Sequence, residues 1–198
     1  LFTHFSNGRI KSPNSGVNSY AINVGLSYNF EEPLEKQIDT LPKVKFTEPI
    51  KYNVVLRTGM SESPIIASGQ KPFFHVGFYA DKRLSRKSAI QLGTEIFLTY
   101  SYKEFIKYQS IAYPEENVTT DTDFKRGGIF VGYELFINRI SLEAQLGFYV
   151  YQPYKSDIPV YDRLGMKYYI TKKIYTGLSV KTHIFLAEAM EFVVGVRL

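Results

Sequence analysis

The chain has 198 residues, a formal net charge of +5 and no cysteine, and this length suits one domain with a full core or one β-barrel. Without cysteine the sequence offers no disulfide framework, no thiolate nucleophile and no cysteine-based metal site. The basic residues are spread along the chain, so we expect no nucleic-acid partner, and attraction to an anionic lipid surface accounts for the positive sign.

The chain opens in what the sequence predicts to be a β-strand, residues 1–6. Side chains alternate along a strand, so Phe2, His4 and Ser6 share one face. A strand this short does not cross a bilayer, which takes about 9–11 residues. We therefore expect native sequence, with further strands, upstream of Leu1.

The clearest period-two pattern covers residues 18–30. Large apolar side chains alternate there with small or polar ones, as in a half-buried strand. The apolar set is Tyr20, Ile22, Val24, Leu26, Tyr28 and Phe30. Aromatic residues at both ends of such a row are typical of the girdles of an outer-membrane strand.

Alternation recurs through the rest of the chain between loops and turns. Further strands are predicted at 50–58, 73–81, 90–100, 129–137, 140–150, 164–170, 176–184 and 190–198. Loops are predicted at 31–49, 59–70, 103–125 and 152–162, and short turns at 82–87, 138–139 and 171–173. No segment has a convincing helical pattern, so we expect about ten strands, nearly all antiparallel neighbours.

The faces opposite the apolar rows carry many charged and polar residues. They are Arg57, His75, Glu95, Glu134, Glu143, Gln145, Lys167, Lys181, His183, Glu191 and Arg197. A soluble sandwich has no dry core for so many charges, whereas the polar interior of a membrane barrel pairs them. We predict an all-β fold, one antiparallel transmembrane β-barrel domain over residues 1–198 in the outer membrane of a Gram-negative bacterium. The alternatives are a soluble β-sandwich, a lipocalin-like barrel or a channel.

Two interior groups invite a catalytic or metal interpretation. Glu134 and Glu143 face each other across the turn at 138–139, and pairing with lysine or arginine is the expectation, with acid/base chemistry as the alternative. His75 and His183 are expected to be satisfied interior residues, with a metal site as the alternative. Asp81, Glu95 and Glu191 are possible neighbours of these histidines.

Loop lengths predict the orientation, since outer-membrane barrels keep short turns in the periplasm and long loops outside. The three short turns are then periplasmic, and the loops at 59–70, 103–125 and 152–162 are external. Connections alternate between the two sides of the membrane, and counting them back to the start of the chain puts His4 and Ser6 at the level of the outer leaflet.

The most specific candidate site lies in that first stretch. Because His4 and Ser6 are neighbours on one strand face, the imidazole can activate the serine hydroxyl as a nucleophile. The side-chain amides of Asn7 and Asn14 can donate hydrogen bonds to a developing oxyanion. A His-x-Ser spacing is common by chance, so a surface histidine and serine at a strand end is the alternative.

The longer pattern is His4-Phe5-Ser6-Asn7-Gly8 followed by Pro13-Asn14-Ser15-Gly16-Val17-Asn18. It resembles the lipid A 3-O-deacylase (PagL) family, and in particular its longer Bacteroidetes-type relatives, the acyloxyacyl hydrolases. The resemblance covers about residues 2–30 and implies an outer-membrane barrel esterase that removes an acyl chain of lipid A, the lipid of lipopolysaccharide, at its lipid-facing wall. It implies Ser6 as nucleophile and His4 as general base, with Asn7, Gly8 and Asn14 as oxyanion-hole candidates and no metal or other cofactor.

One position departs from the family, because the acid that orients the histidine falls at Asn18. An amide can accept a hydrogen bond from the imidazole, as in Cys-His-Asn sites, but it supplies no charge to an imidazolium. The sequence leaves three interpretations open: a weaker esterase, an acid supplied from elsewhere, or a silent barrel. In the last case the barrel serves as a structural or interaction subunit, with protein partners in an outer-membrane complex.

Overall fold

The alternating segments form antiparallel strands, and most of them close into one barrel. The structure, a computed structural model, describes residues 2–4, 19–21, 25, 46–65, 68–155, 157–184 and 186–198. Its strands are β1 (Phe2–His4), β2 (Ser19–Ala21), β3 (Lys51–Glu62), β4 (Gln70–Arg83), β5 (Ser88–Thr99), β6 (Arg126–Ile137), β7 (Ile140–Tyr151), β8 (Val160–Tyr169), β9 (Ile174–His183) and β10 (Leu186–Arg197). The barrel comprises β3 to β10, whereas β1 and β2 pair with each other in a separate two-stranded sheet.

Closure of the barrel corrects the predicted number of strands. β10 pairs with β3, from Phe192 opposite Thr58 to Arg197 opposite Asn53, and the other barrel neighbours are consecutive in the chain. The barrel therefore has eight strands, and the prediction of about ten was wrong. Because β3 and β10 occupy each other's edges, β1 and β2 are not barrel strands, and the loop count that placed His4 at the outer leaflet does not extend to them.

The barrel wall is apolar outside and polar inside, as the alternation predicts. Along β7, Leu142, Leu146 and Phe148 are exposed, while Glu143 and Gln145 between them are buried. The barrel strands are 10 to 14 residues long, against about 9–11 residues for a tilted transmembrane strand. A charged interior behind an apolar outer face is the pattern of a barrel that is solvated by lipid.

Aromatic rings complete the interior by lying against strand glycines. A Cβ placed on Gly147 would be 2.1 Å from Cζ of Tyr161, and one on Gly195 would be 2.1 Å from Cζ of Tyr175. Only glycine leaves room for rings this close to the backbone. The two tyrosines, fully buried, thereby fill the lumen beside the charged groups.

The strand connections separate the barrel into two ends. The turn end holds residues 84–87, 138–139 and 170–173, together with the start of β3 and the end of β10. The loop end holds residues 63–65, 68–69, 100–125, 152–155 and 157–159. The three short turns thus lie at one end, as the sequence predicts, while the assignment of that end to the periplasm remains a prediction.

One helix at the loop end is a second correction. The sequence predicts a loop over 103–125, but α1 spans Tyr100–Ala112, and a 3₁₀ helix spans Pro114–Glu116. Tyr102 and Ile106 of α1 are buried and form a small core with Tyr154. These two residues are four positions apart, as on one face of a helix, and their packing against Tyr154 stabilises a helix in a segment whose polar residues favoured a loop. Among the described residues, no helix is both long enough and apolar enough to span a membrane.

Candidate functional site

The predicted catalytic residues lie at the start of the chain. His4 is the last residue of β1, and its backbone lies opposite that of Ser19 in β2. The remaining predicted site residues, Ser6, Asn7, Gly8, Asn14 and Asn18, lie outside the described residues. Their roles and that of the His4 side chain therefore stay predictions.

The centre of the barrel holds two arginines that face three carboxylates. Arg57 contacts Glu95 at 2.7 Å and Glu143 at 3.4 Å. Arg163 contacts Glu191 at 2.7 Å and Glu95 at 2.9 Å. All of these side chains are fully buried, and a buried charge is tolerated when it is paired and hydrogen-bonded. We therefore interpret this network as the part that fills and holds the lumen.

The glutamate pair at the next level is also bonded to its neighbours. Glu134 lies opposite Glu143 in the β6–β7 ladder, and Lys167 of β8 reaches both, at 3.4 Å and 2.5 Å. The hydroxyls of Ser141 and Tyr169 donate hydrogen bonds to Glu134. The expected pairing with lysine is confirmed, and these carboxylates act as structural acceptors.

The two interior histidines have partners as well. His75 lies 2.8 Å from Glu191 and 3.2 Å from the hydroxyl of Thr99, so it is a satisfied interior residue, as expected. His183 lies near the loop end, with Nε2 3.0 Å from the hydroxyl of Tyr149. In the part of the chain that the structure describes, no three His, Cys, Asp or Glu side chains are grouped to hold a metal ion.

A cluster of charges closes the lumen under the long loops. Glu188 is bonded both to Arg126 and to Lys181. The Arg126 guanidinium also lies 4.6 Å from the ring centre of Tyr102 and 4.8 Å from that of Tyr149. This arrangement joins α1, through Tyr102, to the barrel interior.

Above this cluster lies a cavity of about 680 Å³, which we call the loop-end pocket. Its walls come from α1, the 3₁₀ helix and the β7–β8 loop, and they include Tyr102, Phe105, Tyr154 and Asp157. Burial raises the pKa of Tyr154 to about 12, and Asp157 and Glu116 add to the effect.

Asp157 is the charged residue that ties the β7–β8 loop to α1 and to the barrel. Burial and the nearby Glu188 raise the pKa of its carboxyl, but His183, a hydrogen bond from Tyr102 and the Arg126 charge outweigh them and lower it. The Tyr102 hydroxyl donates that bond at 2.5 Å. Ionised Asp157 therefore stabilises the loop end.

The opposite end of the barrel opens into a cavity of about 590 Å³ at the turns, which we call the basic mouth. It is lined by Glu48, Lys51, Arg83, Phe136, Asn138, Arg139, Tyr169, Ile170, Thr171, Lys172 and Arg197. The sequence predicts the run at 82–87 as a solvated turn and gives no sign of a cavity. The cavity forms because turns that are far apart in the sequence meet at one end of an antiparallel barrel.

The family model described as "Acyloxyacyl hydrolase, C-terminal domain" matches residues 50–198, which include the whole barrel. The chain belongs to this family. Residues 1–27 match a second model, that of lipid A 3-O-deacylase (PagL), and this stretch contains the His4-x-Ser6 motif. The resemblance inferred from the motif is therefore confirmed. No curated protein matches the chain.

Among solved structures, Neisserial surface protein A (NspA) matches with 13% identity and a TM-score of 0.41. The match covers 75% of this chain and 95% of that chain. The family and the barrel, apolar outside and charged inside, establish the predicted location: this is a protein of the Gram-negative outer membrane.

Proposed function

We propose that the protein hydrolyses an ester-linked acyl chain of lipid A, with Ser6 as nucleophile and His4 as general base. The observation that carries the proposal is the family match of the segment that holds a candidate nucleophile and its base. Residues 1–27 match the lipid A 3-O-deacylase model, and within them an imidazole and a hydroxyl stand at strand spacing, two residues apart.

The chemistry follows that of a serine esterase. Ser6 Oγ attacks the ester carbonyl while His4 takes its proton, and the alkoxide leaves as the hydroxyl of lipid A when His4 returns the proton. Water then attacks the acyl-serine, again with His4 as base, and releases the fatty acid. The amides of Asn7 and Asn14 and the backbone N–H of Gly8 are the donors for the oxyanion.

The barrel supports this proposal through its surface. Its interior is filled by paired charges and tyrosines, whereas its outer wall is apolar. A substrate that is itself a membrane lipid approaches such a protein from the side, where its acyl chains stay in hydrocarbon and only the ester must reach the catalytic groups.

The test is a mass spectrum of lipid A from cells that express the full-length protein. We expect the wild-type protein and a Ser15→Ala control to release one acyl chain, and Ser6→Ala to leave lipid A intact, because removing a serine nucleophile lowers the rate by about 10⁶-fold. Identical acylation with the wild-type protein and with Ser6→Ala would refute the proposed nucleophile.

Asn18 favours a second candidate function, a catalytically silent barrel that acts as a structural or interaction subunit of an outer-membrane complex. The variant Asn18→Glu separates the two proposals. In an esterase that lacks only the orienting acid, the substitution should raise the rate at least tenfold, since losing the corresponding charge in a serine protease costs about 10⁴-fold. A silent barrel would gain no activity and would instead co-purify with stoichiometric partners.

A further inference from the structure

The three turns at the turn end carry positive charge and no carboxylate. Their residues are Leu84-Ser85-Arg86-Lys87, Asn138-Arg139 and Ile170-Thr171-Lys172-Lys173. Arg139 and Lys172 come from two different turns and line the basic mouth. The ladder between β7 and β8 holds these turns side by side, with Ile140 opposite Tyr168.

Carboxylates at this end neutralise only part of that charge. Glu48 contacts Lys51 at 2.8 Å, and Asp81 contacts Arg197 at 3.0 Å. Within the described ranges, Arg83, Arg139 and Lys172 have no ion pair, and these are the cations that line the cavity beyond Lys51 and Arg197. The mouth therefore has an excess of about three positive charges, given the permanent charge of arginine and lysine at neutral pH.

The Arg83 side chain and the backbone of the turn that carries Arg139 are held in place. The Arg83 guanidinium lies 3.4 Å from the ring centre of Phe136 and donates one hydrogen bond to the carbonyl of Arg86, while its buried Nε has no partner in the described chain. Asn138 has a positive φ of 57°, typical of a two-residue hairpin turn, and the carbonyl of Arg139 accepts a bond from the N–H of Tyr169. A planar guanidinium that is held in this way suits a phosphate group.

The rim of the mouth adjoins the apolar outer wall. Ile137, Ile140 and Ile170 are exposed next to the same turns, so Arg139 and Lys172 lie where the hydrocarbon-facing surface ends. The phosphates of lipid headgroups lie at that depth. A soluble anion would gain from the charges alone, whereas a lipid gains from the charges and the apolar wall together.

We propose that the basic mouth and its rim bind the phosphate group of an anionic phospholipid, with Arg83, Arg139 and Lys172 as its partners. Short turns of outer-membrane barrels face the periplasm, so this lipid belongs to the inner leaflet of the outer membrane. The site is independent of the proposed ester hydrolysis.

The test measures lipid binding to the purified full-length protein in non-ionic detergent by native mass spectrometry. The ligands are phosphatidylglycerol, phosphatidylcholine with the same acyl chains, and inorganic phosphate as a competitor. The variant is Arg139→Gln with Lys172→Gln, and the matched control is Lys103→Gln with Lys107→Gln, which removes two exposed charges from α1. Heat-modifiable migration on a gel verifies that each barrel has folded.

The wild-type protein and the α1 control should prefer phosphatidylglycerol to phosphatidylcholine. The mouth variant should bind phosphatidylglycerol about 25-fold more weakly at low salt, since each basic residue near an anionic surface contributes about fivefold. A charge-preserving variant, Arg139→Lys with Lys172→Arg, should retain the preference and guards against a folding defect in the first.

Equal binding of phosphatidylglycerol by the mouth variant and the α1 control would overturn the proposal. The protein could instead bind inorganic phosphate at the mouth and show no preference for phosphatidylglycerol over phosphatidylcholine. That result would refute a lipid as the ligand and would indicate a site for a soluble anion.

Discussion

Replacing Arg163 by methionine should strongly destabilise the barrel. Arg163 binds two carboxylates, with Nε 2.7 Å from Glu191 and Nη1 2.9 Å from Glu95, and all three side chains are fully buried. Removing one partner of a buried pair costs about 3–5 kcal/mol, because the remaining charge is left uncompensated. We expect a loss in this range in the free energy of unfolding.

The geometry also predicts which second substitution restores stability. Without Arg163, Glu95 keeps a close partner, because Arg57 lies 2.7 Å from it. Glu191 keeps hydrogen bonds with His75 at 2.8 Å and from Ser179 at 2.6 Å, but the remaining arginine lies 3.8 Å from it. Adding Glu191→Gln to Arg163→Met should therefore recover more stability than adding Glu95→Gln, by about 1–2 kcal/mol, which is a part of the cost of an unpaired buried charge.

The assay is urea unfolding of the protein in lipid vesicles, followed by far-ultraviolet circular dichroism, since the chain has no tryptophan to report by fluorescence. Lys103→Met, an exposed change of the same charge, should alter stability by less than about 0.5 kcal/mol. A loss below about 1 kcal/mol for Arg163→Met, or equal recovery by the two glutamine variants, would refute this account of the interior.

Two further predictions concern the packing of the lumen and the loop end. Gly147→Ala should lower the free energy of unfolding by about 1–3 kcal/mol in the same assay, because the new Cβ would lie 2.1 Å from the Tyr161 ring. Gly127→Ala is the control and should lower it less, because its nearest contact would be at 3.5 Å. At pH values above the ordinary carboxyl pKa, ionised Asp157 stabilises the loop end. This stabilisation is lost as the pH falls through the lowered pKa of Asp157. The protection factors of the α1 amides, which are corrected for the intrinsic pH dependence of exchange, should therefore fall in acid, and Asp157→Asn should lower them at neutral pH as well. Protection in the variant that still rises towards neutral pH would exclude Asp157 as the cause.

The local pattern predicts the strands well because alternation records directly which side chains face lipid. From 50 onward each predicted strand corresponds to one observed strand, and the pairing of Glu134 with Glu143 follows from the tight turn between them. The strand number was wrong because closure depends on contacts between residues far apart in sequence. Val196 lies opposite Val54, and no local feature of either segment specifies that partner.

The end cavities escaped prediction for a related reason. The apolar residues of α1 are interspersed with charged and polar ones, and its buried side, Tyr102 and Ile106, faces Tyr154 from a loop about 50 positions away in the chain. The basic mouth likewise combines Arg83, Arg139 and Lys172 from three separate turns. The Ser6 and His4 assignment came from a short motif instead, which records chemistry without revealing how the segment packs.

The distribution of charge limits where this protein can meet a ligand. Arg57, Arg163 and Lys167 are neutralised by carboxylates within the wall, and a substrate entering the lumen would have to replace those bonds at a cost of several kcal/mol per charge. The described outer wall, in contrast, is apolar, and Arg83, Arg139 and Lys172, which have no ion pair in the described chain, lie at its turn-end rim. A lipid can meet both features without disturbing the interior, because its chains replace other lipid chains and its phosphate replaces water. This asymmetry favours lipid ligands on the outside of the barrel over solutes inside it.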